Sequence, residues 1–572
     1  MMSEENQSEC SKVRMGHSLN EAEKHHVTSR RESALECLKR HEIHCSLEKM
    51  PNIALVASGG SERAMVGLLG SLLALFQDDL LDCVLYLAGL SGSTWCMVSL
   101  YKEPDWSSKL EKVKEDIKNK LGGRIRLKEK LKKLEKYYRE KDNFSLTDFW
   151  AALVITMIVK EIDEQTFSDL RRKQSTKDPY PIFTVIDKQS HKDKLDADTF
   201  VEITPHETGY SITGAFVDTS SFGSQFDKGV QIKDQPEMDM MFLQGLCGSG
   251  LASIEKILEE LINLIKDLIL GELDTMGDYA SSGVTQTDIG SLSAPHGDEA
   301  GQLLLNLVEV NRLVLREEDP STNITILNDL LRVNLPQDEL ENLFTISKEI
   351  NKENVKEYTL YICDLQTSWN LTCSRIWEII AKCIELVVCW IWGTTYNFLH
   401  NMTAAEVSPS VCRDTTRKYV DAGIAINSPF LPLLRRERHI DLIVSLDFSE
   451  NDPFESLTET AQACKRLHID FPEVPPMSKE EKSAPKDFYV FEGHNAPAVI
   501  HIPLFNIVNC DDKAGIKRMK HKYSTFQGPY SGELIEELLE KAGLNIRNNK
   551  RNLLTEIKKI IQRKQSHIRS VC

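Results

Sequence analysis

The chain has 572 residues, of which 41% are hydrophobic and 27% charged, the composition of a globular protein. Its formal net charge of −17 argues against general nucleic-acid binding. The 14 cysteines include no C-x-x-C pair and residues 1–30 carry no apolar stretch, so a disulfide framework, a zinc site and a signal peptide are not indicated. We therefore expect a cytosolic protein that uses no metal and no cofactor.

The first part of the chain predicts two strand–loop–helix units in succession. Residues 1–18 are polar and aperiodic, so a disordered start is expected, followed by a helix over 20–41. Residues 52–57 are a buried strand candidate, and the small-residue loop 58–63 leads into a helix pattern. A second strand follows at 83–88. Two such units in a row imply parallel strands joined by a right-handed crossover, and hence an α/β core.

The second unit has the local plan of a nucleophile elbow. An apolar strand runs into a Gly-Leu-Ser-Gly-Ser turn at 89–93 and then into a segment that can start a helix, which makes Ser91 a candidate nucleophile. Gly89 and Ser93 supply the small residues that such a sharp turn requires. Ser/Gly clusters are also ordinary loops, so the pentapeptide alone leaves both interpretations open.

Charge is concentrated between residues 109 and 141, where 14 Lys and Arg stand against 6 Asp and Glu. Apolar residues at three- and four-residue steps on either side of Gly122 and Gly123 predict two amphipathic helices in a hairpin. Two interpretations remain open for this segment. It is either a solvated outer face or a surface that docks on anionic lipid.

Residues from about 250 to 400 differ in character from the rest and predict mainly helices, at about 254–269, 302–318, 336–350 and 374–392. A Ser/Gly/Thr-rich linker at 280–301 is expected to be mobile. The apolar helix over 374–392 contains Glu378, Lys382 and Glu385, and charges of this kind favour a buried or interfacial helix over a transmembrane one.

The remaining core elements flank this insertion. The glycine-rich stretch 209–229 predicts loops and short elements near the ends of the sheet. Strands are expected at 180–187, at 199–204, at 440–447, within 497–507 and in a segment that ends at Asp421, and helices from 531 to 564.

These elements supply the parts of a serine hydrolase. Ser91 could be the nucleophile and the strand-end carboxylate Asp421 its base, and the backbone N–H groups around Gly60 and Ser61 could stabilise an oxyanion. The chain offers no obvious histidine partner, because His206, the one candidate near a strand end, is better explained as structural. A Ser–Asp dyad is the more economical hypothesis.

Several ordered blocks carry a resemblance to a known family. They include Gly-Leu-Ser-Gly-Ser-Thr-Trp at 89–95, Ser-Gly-Gly-x-x-Arg at 58–63, Ser-Leu-Thr-Asp-Phe-Trp at 145–150, Trp-Gly-Thr-Thr-Tyr-Asn-Phe-Leu at 392–399 and Val-Asp-Ala-Gly at 420–423. Together they resemble the catalytic domain of the cytosolic (group IV) phospholipases A2 over about residues 20–545. The resemblance implies a single catalytic domain over 19–572 with a patatin-like three-layer α/β core, a central mostly parallel sheet and a largely helical cap and lid at about 250–400.

The same resemblance implies roles for individual residues. Ser91 matches the family nucleophile and Asp421 its dyad partner, Arg63 matches the arginine that holds the substrate phosphate, and Gly60 and Ser61, with Gly59 as a further candidate, match the oxyanion donors. The implied activity is hydrolysis of acyl esters of glycerophospholipids through an acyl-serine, with lysophospholipids as further donors or acceptors. Several relatives carry a calcium-binding lipid-docking module, for which the residues before the strand at 52–57 leave no room, so calcium-independence is expected. A peripheral location on intracellular membranes, such as the endoplasmic reticulum or nuclear envelope, is implied as well.

The oxyanion loop departs from the family pattern in two places. Ser61 stands where the family has a third glycine, and Glu62 stands where it has an apolar residue. If the third position needs a positive φ, Ser61 adopts it at a cost of about 1 to 2 kcal/mol. Glu62 would place a carboxylate beside Arg63. These departures motivate an alternative, a catalytically weak relative that binds phospholipid or a partner protein.

Overall fold

The computed structural model of the chain describes residues 12–191, 196–250, 254–281, 296–333, 335–368, 375–404, 406–525, 527 and 529–569. Its strands, in chain order, are β1 (Arg14–Met15), β2 (Ile53–Ala57), β3 (Val84–Gly89), β4 (Tyr180–Asp187), β5 (Phe200–Ile203), β6 (Glu207–Tyr210), β7 (Ala215–Asp218), β8 (Gln225–Asp227), β9 (Val230–Lys233), β10 (Thr394–Tyr396), β11 (Thr416–Asp421), β12 (Leu442–Asp447), β13 (Tyr489–Phe491) and β14 (Ala498–Pro503).

The helices surround this sheet and fill most of the long insertion. The first group is α1 (Glu21–Arg40), α2 (Ser61–Gln77), α3 (Gly92–Tyr101), α4 (Leu110–Leu121), α5 (Leu127–Glu140), α6 (Leu146–Trp150), α7 (Thr156–Val159), α8 (Phe167–Lys173) and α9 (Met240–Cys247). The second is α10 (Ile254–Ser281), α11 (His296–Leu315), α12 (Ser321–Arg332), α13 (Gln337–Ile346), α14 (Val355–Ser368), α15 (Arg375–Cys389), α16 (Pro409–Arg413), α17 (Phe430–Leu433), α18 (Glu455–Leu467), α19 (Lys479–Ser483), α20 (Lys513–Lys522) and α21 (Gly532–Arg569).

Five parallel strands form the centre of the sheet in the order β14–β12–β2–β3–β4. Every residue of β2, β3 and β12 is buried, as continuous apolar runs in a parallel sheet require. Antiparallel strands extend both edges, with β13 beyond β14 and β5, β6, β7 and β1 beyond β4. The α/β class predicted from the two strand–loop–helix units is confirmed, and the parallel part is its central five strands.

The carboxyl ends of the parallel strands bring several loops together. β2 ends at Ala57 and β12 at Asp447, and the last pair between the two strands is Ala57 with Leu446. β2 also pairs with β3 up to Gly89. The loops that follow these strands, including the turn that carries Ser91, therefore leave the sheet at one edge, where ligand sites of open α/β sheets lie.

The segment 12–18 differs from the disordered start that its polarity suggested. Arg14 and Met15 form β1, which pairs with Ala215 and Phe216 of β7. Arg14 makes a bidentate ion pair with Glu207, with Nη2–Oε distances of 2.7 and 2.8 Å, and lies over the Phe216 ring. Because the partners of Arg14 and Met15 lie about 200 residues away in sequence, the local sequence does not indicate this strand. Residues 1–11 lie outside the described residues.

The glycine-rich stretch 209–229 contains short elements joined by turns, as expected, because β7, β8 and the end of β6 fall within it. Gly209 lies in β6. A Cβ at this position would stand 2.0 Å from the carbonyl oxygen of Ala215, so the glycine allows two strands to approach closely.

The insertion between β9 and β10 is helical in its described parts, as expected. α10 packs on α11 and α15, and α11 on α12 and α14. Trp377 and Ile380 of α15 are buried, and none of the described helices is both long and apolar enough to cross a membrane. The helices α12 and α14 were not among the predicted elements. The proposed mobile linker at 280–301 lies largely outside the described residues, and its mobility stays a prediction.

Candidate active site

Ser91 occupies the sharp turn between β3 and α3. Its backbone has φ 51° and ψ −133°, a conformation that costs a non-glycine residue of the order of 1–3 kcal/mol and that clusters at functional sites. The residue is 8% exposed and stands at the N-cap of α3, although its side chain does not cap the helix. The side chain is therefore available for another interaction.

Asp421 is the last residue of β11 and is buried. Its Oδ1 accepts the N–H of Gly423 at 2.7 Å, and its Oδ2 accepts the N–H of Gly250 at 3.2 Å. Burial raises the pKa of Asp421 to about 7, opposed by the Gly423 N–H, by the hydroxyl of Ser91 acting as a donor and by the Gly250 N–H. The structure thus places the Ser91 hydroxyl against a carboxylate whose pKa is close to neutral.

His206, the histidine considered from the sequence, contacts Tyr180. His206 bonds through Nδ1 to the Tyr180 hydroxyl at 2.9 Å, at the start of β4, and stacks on the same ring. Burial lowers its pKa to about 4. These contacts agree with the structural role expected for it.

The loop between β2 and α2 lies against the nucleophile. Gly60 and Ser61 stand at the N-terminus of α2, where backbone N–H groups lack helical partners, and neither N–H has a hydrogen-bond partner within the described ranges. Gly59, the third candidate donor, already gives its N–H to the Asn427 carbonyl at 3.2 Å. The free donors are therefore those of Gly60 and Ser61.

Ser61, which stands where the family has a glycine, adopts a positive φ, a conformation that is costly for serine. Its φ is 53°, and that of Gly60 is 153°. The carbonyl oxygen of Ser61 reaches the elbow, where a Cβ on Gly92 would stand only 1.8 Å away. Ser61 thus preserves a backbone shape that glycine would adopt more easily, and Gly92 makes room for it.

Glu62 does not lie beside the Arg63 guanidinium, contrary to our expectation. Its carboxylate oxygens accept the N–H of Tyr530 at 3.1 and 3.2 Å, and burial raises its pKa to about 7. Successive residues of a helix point about 100° apart, so neighbours in sequence need not share a face. The carboxylate is turned toward the segment that precedes α21.

Arg63 is 1% exposed and is held by the neighbouring loops. Its Nε donates to the Phe448 carbonyl at 2.8 Å, Nη1 donates to the Tyr523 carbonyl, and Glu450 lies 3.7 Å from Nη1. Its Nη2 lies beside the oxyanion loop, 3.0 Å from the place of a Cβ on Gly60. The role of Arg63 in holding a substrate phosphate stays a prediction.

Asn427 is a residue of the site that sequence reasoning missed. Its Nδ2 donates to the Gly59 carbonyl at 3.3 Å and to the Ser449 hydroxyl at 3.0 Å, and Ser449 in turn donates to Asp447 at 2.6 Å. Asn427 therefore ties the loop after Asp421 to the oxyanion loop. The one available signal is its place six residues after the candidate base.

The small-residue run Gly-Ser-Gly at 248–250 was missed as well. The Ser249 hydroxyl accepts the N–H of Asp421 at 3.1 Å, and the Gly250 N–H bonds the same residue's carboxylate. This run follows α9 and stands at the entry to the helical insertion. The insertion is thus linked directly to the candidate base.

Similarity to known proteins extends over most of the chain. The family model described as lysophospholipase catalytic domain matches residues 53–265. The chain is 32% identical to mouse cytosolic phospholipase A2 gamma over 95% of this chain and 91% of that protein, and 33% identical to the human gamma protein over 94% of each. The chain belongs to the cytosolic phospholipase A2 family. The fold is that of human GIVD cytosolic phospholipase A2, with a TM-score of 0.64 at 21% identity over 97% of this chain and 69% of that one.

In this member of the cytosolic phospholipase A2 family, Ser91 and Asp421 lie together at the carboxyl edge of the sheet. Their roles as nucleophile and base stay predictions, because the matched structure shows the fold alone.

Proposed function

We propose that this chain is a calcium-independent cytosolic phospholipase A2 that uses Ser91 and Asp421 as a dyad on membrane glycerophospholipids. That it is a phospholipid-hydrolysing enzyme follows from its family. The observation that carries the finer proposal is the Ser91 hydroxyl facing a buried carboxylate whose pKa is about 7. A base with a pKa near the working pH is the most effective one for proton transfer.

The chemistry follows from the positions of these groups. Asp421 takes the hydroxyl proton as Ser91 Oγ attacks the ester carbonyl carbon, and the N–H groups of Gly60 and Ser61 stabilise the resulting oxyanion. The tetrahedral intermediate then expels the lysophospholipid alkoxide, which takes the proton from Asp421. Water attacks the acyl-serine with Asp421 again as base. The second tetrahedral intermediate expels the Ser91 oxygen, which takes the proton back from Asp421, and the fatty acid leaves. A lysophospholipid could replace the phospholipid as donor or replace water as acceptor.

No step of this scheme requires a metal ion, so hydrolysis is expected to persist in excess EGTA. We further propose that the protein acts in the cytosol and associates peripherally with intracellular membranes, because its substrates reside there. A human GIVD cytosolic phospholipase A2 has been solved with methyl gamma-linolenyl fluorophosphonate, which recommends this class of probe here.

The deciding experiment combines turnover and labelling. Purified protein is incubated with radiolabelled phosphatidylcholine and separately with a fluorophosphonate probe, beside a Ser91→Ala control. We expect fatty acid release and labelling in the wild type and neither in the variant. Absence of both in the wild type would contradict the enzymatic proposal and favour the alternative, a lipid-binding relative. Labelling that persists in Ser91→Ala would reject Ser91 as nucleophile.

A further inference from the structure

The basic hairpin formed by α4 and α5 contains cations of two kinds. Most of its Lys and Arg side chains form ion pairs, for example Lys109 with Glu103 at 2.8 Å and Lys120 with Glu161 at 3.1 Å. These pairs neutralise most of the hairpin's cations, as on an ordinary solvated face. Lys130 is buried and points its Nζ at the Leu153 carbonyl, 3.4 Å away.

The cations that remain lie on or beside one helix. Arg124, Lys128, Lys132 and Arg139 are exposed, and none has a hydrogen bond or ion pair to another described residue. Lys128 and Lys132 are four residues apart on α5 and so share a face, and Arg124 precedes them by the same step. These four cations therefore have no ion pair to the other described residues, on a protein whose formal net charge is −17.

Two exposed leucines adjoin this row. Leu127, the first residue of α5, is 38% exposed, and Leu270 of α10 is 39% exposed. The two helices touch at this point, because Cδ2 of Leu127 lies 3.2 Å from the place of a Cβ on Gly271. Cations and exposed leucines on adjoining elements form the mixed surface that is typical of proteins lying on a bilayer.

The hairpin turn lies on the same side of the molecule as the active site. Lys118 near the end of α4 pairs with Glu536 in the first turns of α21. Glu62, next to the oxyanion loop, accepts the N–H of Tyr530, two residues before α21 begins. Lys160 acts electrostatically on both Glu62 and Lys130 of α5. The start of α2, the start of α21 and the hairpin turn are therefore neighbours.

We propose that this surface docks the protein on an anionic phospholipid membrane. We call it the hairpin patch and define it as Arg124, Leu127, Lys128, Lys132, Arg139 and Leu270. The inference rests on the proposed function for its choice of a membrane over an acidic protein, because the patch flanks an active site whose substrate lies in a bilayer. The unpaired cations bind the headgroups, and the leucines enter the boundary between headgroups and acyl chains.

The test measures binding without turnover. Ser91→Ala protein is sedimented with vesicles of phosphatidylcholine alone and with vesicles in which a third of the lipid is phosphatidylserine. We expect tighter binding to the anionic vesicles, and a loss of that advantage as salt rises from about 0.1 M to about 1 M, where the Debye length falls from roughly 10 Å to roughly 3 Å. Equal binding to both vesicles would overturn the proposal.

Variants then locate the surface. Replacing Arg124, Lys128, Lys132 and Arg139 by Gln should weaken binding to anionic vesicles at least 30-fold, since each cation near such a surface contributes roughly a factor of five. The matched control replaces the exposed Lys465, Arg466, Lys479 and Lys558 by Gln, four cations that form no ion pair within the part of the chain that the structure describes, and should change binding less than threefold. Lys128→Arg with Lys132→Arg should retain full binding.

If the patch variant and the control lost binding to anionic vesicles equally, net charge alone would explain the effect and the patch would be rejected. Unchanged binding in the patch variant would reject it as well, and would leave an acidic protein as the candidate occupant.

A kinetic measurement separates this inference from the proposed function. In protein that retains Ser91, the four Gln substitutions should lower hydrolysis of anionic vesicles at least tenfold and leave kcat on a dispersed short-chain phospholipid unchanged. If the wild type hydrolysed neither substrate, the proposed function would be contradicted, while the vesicle-binding result would still stand. Unchanged hydrolysis of anionic vesicles by the patch variant would contradict the docking surface alone.

Discussion

Gly89 and Asp421 are the last residues of two strands whose carboxyl ends face each other on one side of β4. Gly89 of β3 pairs with Phe183, and Asp421 of β11 pairs with Val185. β5 pairs with the other side of β4, so β3 and β11 both pair with the same side of it and run toward each other. At about 3.3 Å per residue the two strand ends are separated by roughly 7 Å. The turn after Gly89 then carries Ser91 to the carboxylate.

This arrangement predicts that the nucleophile and the carboxylate act as one unit. Ser91→Ala and Asp421→Asn should each lower kcat by on the order of 10³ or more, and the double variant should be little worse than either single one. Single-turnover hydrolysis of a chromogenic ester measures all three. Multiplicative losses would show that the two side chains work independently.

The pKa of Asp421 predicts the pH dependence of the reaction. Burial raises that pKa to about 7, and only the ionised carboxylate can accept a proton, so kcat/KM should rise about tenfold per pH unit below about 7 and level off above it. The pKa of Glu62 is also raised to about 7 by burial. Glu62→Gln should keep the same acidic limb. Its disappearance in that variant would assign the limb to Glu62.

The same pKa predicts a stability cost at neutral pH. An acid whose pKa is raised in the folded state stabilises the fold while protonated, and this contribution is lost as pH rises from the unfolded value near 3.8 to about 7. Asp421→Asn cannot ionise. Its free energy of unfolding relative to the wild type should therefore increase between pH 4 and pH 8, by up to about 4 kcal/mol. Urea titrations at both pH values measure it, and a constant difference would contradict the raised pKa.

The sequence was informative where the signal is local. The elbow around Ser91, the loop at Gly60 and the strand that ends in Asp421 follow from apolar runs and small residues, and the structure has all three elements. What brings Ser91 to Asp421 is the register of β3 and β11 on β4, a choice made by strands far apart in the chain. Asn427 was missed for the same reason, since its partners Gly59 and Ser449 come from two other loops.

Glycine at position 92 is required by the contact between the elbow and the oxyanion loop. Gly92→Ala would place a Cβ 1.8 Å from the Ser61 carbonyl oxygen, which is backbone and cannot yield without moving the loop. We expect kcat to fall at least a hundredfold. Gly122→Ala is the control, because a Cβ there meets no atom closer than 3.6 Å. Similar kinetics in both variants would show that the loop tolerates displacement. Hydrolysis of a soluble ester, with melting temperatures alongside, measures the effect.

Substitution of Ser61 by glycine shows whether the departure from the family's glycine affects catalysis or stability. Its φ is already 53°, so its N–H is presented as a glycine there would present it, at a strain of about 1 to 2 kcal/mol. Ser61→Gly removes that strain but frees the unfolded chain, and the net gain in the free energy of unfolding should be about 1 kcal/mol or less. kcat should change less than threefold, because the donor stays where it was.

Two matched variants make the test decisive. Ser33→Gly, within α1, should lower stability by about 0.5 kcal/mol or less, the opposite sign for the same substitution. Ser61→Val forces a β-branched residue into a positive φ and should destabilise the protein and reduce kcat together. Urea unfolding and steady-state kinetics of the three variants provide the measurements. A tenfold gain in kcat for Ser61→Gly would show instead that the serine misplaces the oxyanion donor and limits the reaction.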